Sequence, residues 1–375
     1  MISKLVYFTI ERAYRYANAI HQRRSNARAL AAFWQKYSES GVRAVSYYQG
    51  KELKPMSQIR AEIGDLYCSG KAGSTPDEVF NTYMLFGLDR ASENVRDYLF
   101  GSEFLDLVAK HRPSYALMLN NKIFTLVYLA ARGIPVSEIL GQVDDDGVFQ
   151  SIDGSCTANF HDWMAARRAP VFCKQPDGYE GTSCFLLERR GDRYLVNGKE
   201  CKAEDLNMLT PQLQIETVVE QHPDMAAIYP GSVNTCRIVT VSIRGKVRFF
   251  SGYALFGCNG THVSNGCSGG LFVPFDEKGQ LGKCGVRELV WGGGSFERHP
   301  DTGVAFAGCS IPCFSDVMRL AIRAHETMPS IRSVGWDIAV TPTGPIIIEG
   351  NQGWGPLGHF ALYGGRRQLF ERILG

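Results

Sequence analysis

Apolar and polar positions repeat with two different periods along this chain, and the change from one to the other falls near residue 170. From about Glu11 to Ser38 the residues are good helix formers without Gly or Pro, which predicts a helix. Thr75-Pro76-Asp77-Glu78 reads as a cap with proline in the first turn, and the helical signal it opens runs through Phe100. Asn120-Asn121-Lys122 starts a further apolar helix, stopped by Gly133 with Pro135 beyond it. These signals predict a mainly helical region over residues 1–110.

Past Pro170 the pattern is that of strands. Val171-Phe172-Cys173-Lys174 is followed by a loop from Gln175 to Gly181 and a second run, Thr182 to Glu188. Thr217-Val218-Val219 predicts a strand that runs into the polar segment Glu220-Gln221-His222-Pro223. Ser232 to Ile243 begins a long antiparallel stretch, turned by Arg244-Gly245 into Val247-Arg248-Phe249-Phe250. One amphipathic helix, Phe314 to Thr327, precedes a final hairpin made of Val334 to Thr341 and Pro345 to Asn351. Helices and strands in separate blocks predict an α+β chain.

That hairpin carries polar groups at fixed places. If Pro342-Thr343-Gly344 forms a three-residue loop with glycine left-handed, Asp337 lies across from Glu349, and Asn351 follows on the same face. Opposed carboxylates repel, so such a pair needs a cation or a shared proton between them. Ligands that are all oxygen favour magnesium or manganese bridging phosphates over zinc. A slip of one residue would instead send Asp337 to solvent and leave Asn351 to start a turn.

Other residues point the same way, each with a plainer alternative. Lys122 in the first turn of a helix is locally unfavourable unless an anion binds both it and the free amides; otherwise it is a surface lysine. Lys174 ends a strand just before a loop containing Gly178 and Gly181, an arrangement that either holds phosphate oxygens or only turns the chain. Arg237 interrupts an apolar alternation, so half-buried it needs an anion, either a fixed carboxylate or a ligand phosphate. His222 is a ligand contact or a satisfied loop histidine.

Composition narrows the classes. A formal net charge of +2 over 375 residues gives no phosphate-tracking surface, which argues against nucleic acid as a partner. The 11 cysteines contain no Cys-x-x-Cys pair, which argues against zinc ribbons, and several fall inside apolar strands as small core residues. They read as reduced, hence cytoplasmic. No apolar run reaches membrane-spanning length, and the opening segment is too soon interrupted by Glu11 and Arg12 to be a signal peptide. Arg12, Arg15, Arg23, Arg24 and Arg28 make the first helix basic, so its face is either solvated or in weak contact with an acidic lipid surface.

Taken in order, Asn121-Lys122 opening its helix, Lys174 before the glycine loop, Glu220-Gln221-His222-Pro223, Ser232 to Thr240, and Gly335-Trp336-Asp337 with Glu349-Gly350-Asn351 resemble the ATP-grasp superfamily. The branch most similar is that of the sugar-transfer-associated ATP-grasp proteins, over roughly residues 110 to 360. The resemblance implies two α+β lobes clasping ATP within residues 111–375, a lid lobe over about 166–222 and a C-terminal lobe with the metal site over 223–375. It implies that Lys122 and Lys174 touch the phosphates, that Gly178 to Gly181 close over them, and that Glu220 and Gln221 meet adenine. His222 and Asn234 join the nucleotide-binding candidates, Arg237 stabilises the transferring phosphoryl group, and Asp337, Glu349 and Asn351 hold two magnesium ions, or manganese.

What the resemblance implies for activity is an ATP- and magnesium-dependent carboxylate-amine ligase, forming ADP and an amide through an acyl phosphate in polysaccharide or natural-product biosynthesis. Its small-molecule substrates would be an amino acid, amino sugar or sugar acid. The alternatives are a kinase on the same scaffold that phosphorylates a hydroxyl acceptor, and an ATP-binding partner protein without turnover. Two departures stand out: the N-terminus does not read as a Rossmann-like lobe, and the arginine and aspartate frequent around Ala254-Leu255-Phe256-Gly257 and Ser264-Asn265-Gly266 are absent.

Overall fold

Two antiparallel sheets divide the strands between them in the computed structural model, which describes residues 22–36, 52–70, 72–110, 112–176, 184–191, 193–202 and 212–375. The first sheet contains β1 (Ile139–Val143), β2 (Val148–Ser151), β3 (Thr157–Asn159), β4 (Val171–Lys174), β5 (Cys184–Arg190), β6 (Arg193–Val196), β7 (Lys199–Cys201) and β8 (Leu213–Thr217). Its order is β3-β2-β1-β8-β4-β5-β6-β7. The second contains β9 (Thr235–Ile243), β10 (Lys246–Phe256), β11 (Leu271–Val273), β12 (Gly285–Val286), β13 (Ser295–Phe296), β14 (Ser333–Thr341) and β15 (Gly344–Asn351), ordered β13-β12-β11-β10-β9-β14-β15.

Alternation along the second sheet sends its side chains to two cores. Cys236, Ile238, Ala254, Trp336 and Ile338 pack against the helices Lys122–Ala130 and Phe314–Glu326. Val239, Val241, Tyr253 and Leu255 pack with the N-terminal helices Met56–Ser69, Pro76–Leu85 and Gly101–Ala109, and with the last two helices, Leu357–Tyr363 and Arg367–Leu374. The described helices of the N-terminal region share a core with the C-terminal sheet.

Several boundaries differ from the sequence pattern. The helix opened by the Thr75 capping box ends at Leu85, not near Phe100, since Gly87 turns left-handed at φ 65° just beyond it. The first sheet begins at Ile139, upstream of the 166 expected for the lid lobe. The strand expected from Thr217 onward ends there instead, because Pro223 opens the helix Pro223–Ile228 and His222 caps it. The chain passes directly between the sheets. Ser137 N donates to the Ile347 carbonyl of β15 at 2.9 Å, and one residue later the Glu138 carbonyl accepts from Thr217 N at 3.0 Å. The crossing thus ties β8 of the first sheet to β15 of the second.

No helix among the described residues is long and apolar enough to cross a membrane. Behind the second sheet, His325 is buried, its Nδ1 2.7 Å from Thr240 Oγ1 and its Nε2 2.8 Å from the Ile331 carbonyl. Burial pushes its pKa from 6.5 down to about 4. Between those values the unfolded chain takes up a proton that the folded chain refuses. The contribution to stability is complete above the unfolded value and is lost as pH falls toward the folded one. Acidification through that window is expected to remove about 3 kcal/mol through this residue. Urea unfolding at several pH values checks this, and His325→Gln should flatten the dependence; an equal slope in both proteins would contradict it.

Candidate functional site

The final hairpin reaches the expected pairing by a different route. Thr341 pairs directly with Gly344, so the loop is the two-residue Pro342-Thr343, with Gly344 at φ 125°. The ladder then slips by one residue between Asp337 and Ile338, leaving Ile348 as the extra residue of a bulge in β15. Loop and bulge together set Asp337 opposite Glu349 and Gly335 opposite Asn351. On the other side of β14, Asp337 lies opposite Arg237 of β9.

Arg237 Nε donates to Asp337 Oδ1 at 2.5 Å and Nη2 to Oδ2 at 2.9 Å, a two-bond fork. Nη1 donates to the Trp354 carbonyl at 3.0 Å. Burial works against the guanidinium charge, but Asp337 holds its pKa above the usual arginine range. Of the two anions open to Arg237 on the sequence pattern, the fixed carboxylate is the one it meets. Asn351 Nδ2 lies 3.4 Å from Asp337 Oδ2. Glu349 feels burial first, which pushes its carboxyl above the ordinary range; Lys122 pulls it back and Asp337 pushes it further up.

Lys122 follows the cap Asn121, whose side chain accepts from Phe124 N at 3.1 Å. Its ammonium stands 3.5 Å from Glu349 Oε1 and its backbone N–H donates to the Pro176 carbonyl at 2.9 Å, so it is not a surface lysine. Lys174, the last residue of β4, is buried with its Nζ 2.5 Å from Glu216 Oε1 on the neighbouring β8. Gln214 Nε2 donates to the same carboxylate. Cys184 lies directly opposite Lys174, and burial pushes its thiol above the ordinary range while Lys174 and Lys122 pull it back.

The donors suit a hard divalent cation. Asp337, Glu349 and Asn351 carry side-chain oxygens on two paired strands that could hold such a cation, with the Nδ2 of Asn351 now turned toward Asp337. The sequence profile of the proteins described as sugar-transfer associated ATP-grasp matches residues 106–372. The chain belongs to that family. Its two sheets with their helices form the ATP-grasp fold.

No curated protein sequence matches this ATP-grasp chain. Among solved structures, D-alanine–D-alanine ligase from Bacillus anthracis is 10% identical over 68% of this chain and 67% of that one, with a TM-score of 0.37. L-amino acid ligase from Bacillus licheniformis is 10% identical over 68% and 48%, with a TM-score of 0.37. N5-carboxyaminoimidazole synthetase from Staphylococcus aureus, complexed with ADP, is 10% identical over 68% and 52%, with a TM-score of 0.38. The chain spans about half the length of the latter two. Likeness at this level says nothing of substrate.

The remaining candidates divide. Gly178 and Gly181 lie outside the described residues. Glu220 is exposed. Asn234 is wholly buried, with its Nδ2 3.0 Å from the Met225 carbonyl, 2.7 Å from the Tyr229 carbonyl and 3.0 Å from Gln221 Oε1. Gln221 completes that brace through Nε2 to the Ser232 carbonyl at 2.7 Å. His222 caps the helix Pro223–Ile228, its Nδ1 accepting from Asp224 N at 3.2 Å and its backbone N–H donating to the Val340 carbonyl at 2.7 Å. Glu216 and the Trp354 carbonyl were missed. The alternation Gln214-Ile215-Glu216 places two polar residues on one face of β8, the one signal that a buried lysine had a partner there.

Proposed function

We propose that this chain is an ATP- and magnesium-dependent carboxylate-amine ligase that makes an amide through an acyl phosphate. The observation that carries the reading is the juxtaposition of Asp337, Glu349 and Asn351 on one hairpin with Lys122 and Arg237 beside them. Asp337, Glu349 and Asn351 would hold magnesium, which when bound would supply charge neutralisation for the nucleotide's phosphates. Lys122 and Lys174 orient those phosphates from two different elements. Arg237 meets the charge that develops on the transferring phosphoryl group and then on the tetrahedral oxyanion. The substrate carboxylate attacks the γ-phosphorus and releases ADP; the amine then attacks the acyl carbon and releases phosphate. The carboxylate would come from an amino acid or a sugar acid, and the amine from an amino acid or an amino sugar. The free state of all 11 cysteines supports a reducing, cytoplasmic setting.

Incubation with magnesium, ATP and a pool of amino acids, amino sugars and sugar acids tests the reading, with nucleotide products and new masses followed together. ADP with an amide-mass product is the expected result. ADP with a phosphorylated hydroxyl acceptor would make the chain a kinase, and tight ATP binding without turnover would make it a binding partner. Lys174→Ala is expected to weaken ATP binding about ten- to hundredfold, as for a lost hydrogen bond to a charged group. Calorimetric titration with ATP reads this out, and unchanged affinity would remove Lys174 from the phosphate site.

A further inference from the structure

The cations around the hairpin already hold the carboxylates that a metal would need. Both oxygens of Asp337 accept from one guanidinium, and Glu349 lies against Lys122. A divalent cation that took up Asp337 would compete with Arg237 for the same two oxygens. If it arrived alone, it would sit beside the displaced guanidinium, like charge against like. Nucleotide alone would bring its phosphates up to Asp337 and Glu349, again like charge against like. Together the two ligands balance: the metal replaces Arg237 and Lys122 on the carboxylates, and the phosphates replace the carboxylates on Arg237 and Lys122. The bond from Arg237 Nη1 to the Trp354 carbonyl lies outside this exchange and keeps the guanidinium at the site. Trp354 is itself fixed, its Nε1 donating to Ser333 Oγ at 3.2 Å and its ring 4.7 Å from that of Phe104.

We propose that Arg237 is a resident cation that keeps the metal position closed until nucleotide arrives, so that divalent metal and nucleotide bind only as a pair, by exchange of ion-pair partners. This rests on the nucleotide site proposed above. It predicts strong coupling between the two ligands, which by linkage must be reciprocal.

Manganese titrations followed by electron paramagnetic resonance test the exchange without any acceptor substrate. Wild-type protein should bind manganese alone weakly. A non-hydrolysable ATP analogue should tighten manganese by about 5–150-fold, the usual range of ligand coupling, once its own manganese binding is subtracted, and manganese should tighten the analogue by the same factor. Arg237→Met should bind manganese alone about tenfold or more tightly than wild type, with the coupling reduced to match. Lys122→Met is a second variant that frees Glu349 by the same logic and does not depend on the folding of the first. Manganese bound alone as tightly as with the analogue, or no gain in either variant, would overturn the exchange while leaving the nucleotide site standing. Failure of the analogue to bind wild-type protein at all would remove both.

Discussion

Glu349→Gln is expected to lower ATP turnover by about 10²–10³ or more, the cost of removing one charge-stabilising group from a catalytic site. Glu349 is the carboxylate placed between the other charges: it faces Asp337 across the ladder and lies against Lys122. Glutamine keeps the shape of the side chain and one oxygen but loses the negative charge that a metal would bridge. The same change should leave the fold intact. Burial and Asp337 both disfavour the charged form of Glu349, and the neutral amide is spared that cost. ADP release and thermal melting, measured on the same preparation, check both halves. Retained turnover would remove the hairpin from the chemistry; a collapsed fold would mean that the carboxylate is structural.

Arg237→Met is expected to destabilise the protein by about 3–5 kcal/mol, as for a buried ion pair that loses one partner. The side chains of Arg237 and Asp337 are only 15% and 14% exposed, so solvent cannot replace the lost partner well. Removing Arg237 leaves Asp337 facing Glu349 with no guanidinium to hold it. Arg237→Met combined with Asp337→Asn should recover much of the loss, since it removes the stranded charge as well. Urea unfolding of the single and double variants, with magnesium chelated, gives the comparison. Equal stability of wild type and the single variant would mean that the fork contributes nothing to the fold.

The pairing of the final hairpin was legible because its information is local. Strict alternation fixes which residues share a face, and the pairing of Asp337 with Glu349 follows from where the turn lies. Even so, a three-residue loop and a two-residue loop with a bulge at Ile348 give the same pairing, so the correct pair came from an incorrect turn. Lys122 and Lys174 were legible as lysines in unfavourable places. Their immediate partners, Glu349 and Glu216, are on other elements, and nothing in the flanking sequence named them. The bonds that Asn234 and Gln221 make to the Met225, Tyr229 and Ser232 carbonyls around the helix Pro223–Ile228 were likewise not readable from the flanking sequence. A polar motif that braces a turn and one that grips a nucleotide look alike in sequence.

The helical N-terminal region followed the same division. Its helices could be read from periodicity and from the cap at Thr75, whereas its docking onto the face of β9 and β10 depends on long-range complementarity. That docking brings Phe104 against Trp354, whose carbonyl holds Arg237, so a region without recognisable chemistry supports the residue at the centre of the site. The strands β1 to β3 gave little signal because they are short, and because Gly141 sits where an added Cβ would lie 2.2 Å from the Gln150 carbonyl oxygen.

The central claim is that one hairpin holds the divalent metal that binds with ATP. Anomalous diffraction from crystals grown with manganese and a non-hydrolysable ATP analogue tests it most directly. The account predicts manganese bound to carboxylate oxygens of Glu349 and Asp337 and the amide oxygen of Asn351, at roughly the 2.0–2.2 Å of such small hard cations, with the analogue's phosphates on its far side. Nucleotide bound with manganese elsewhere, and Asp337 still paired with Arg237, would contradict it.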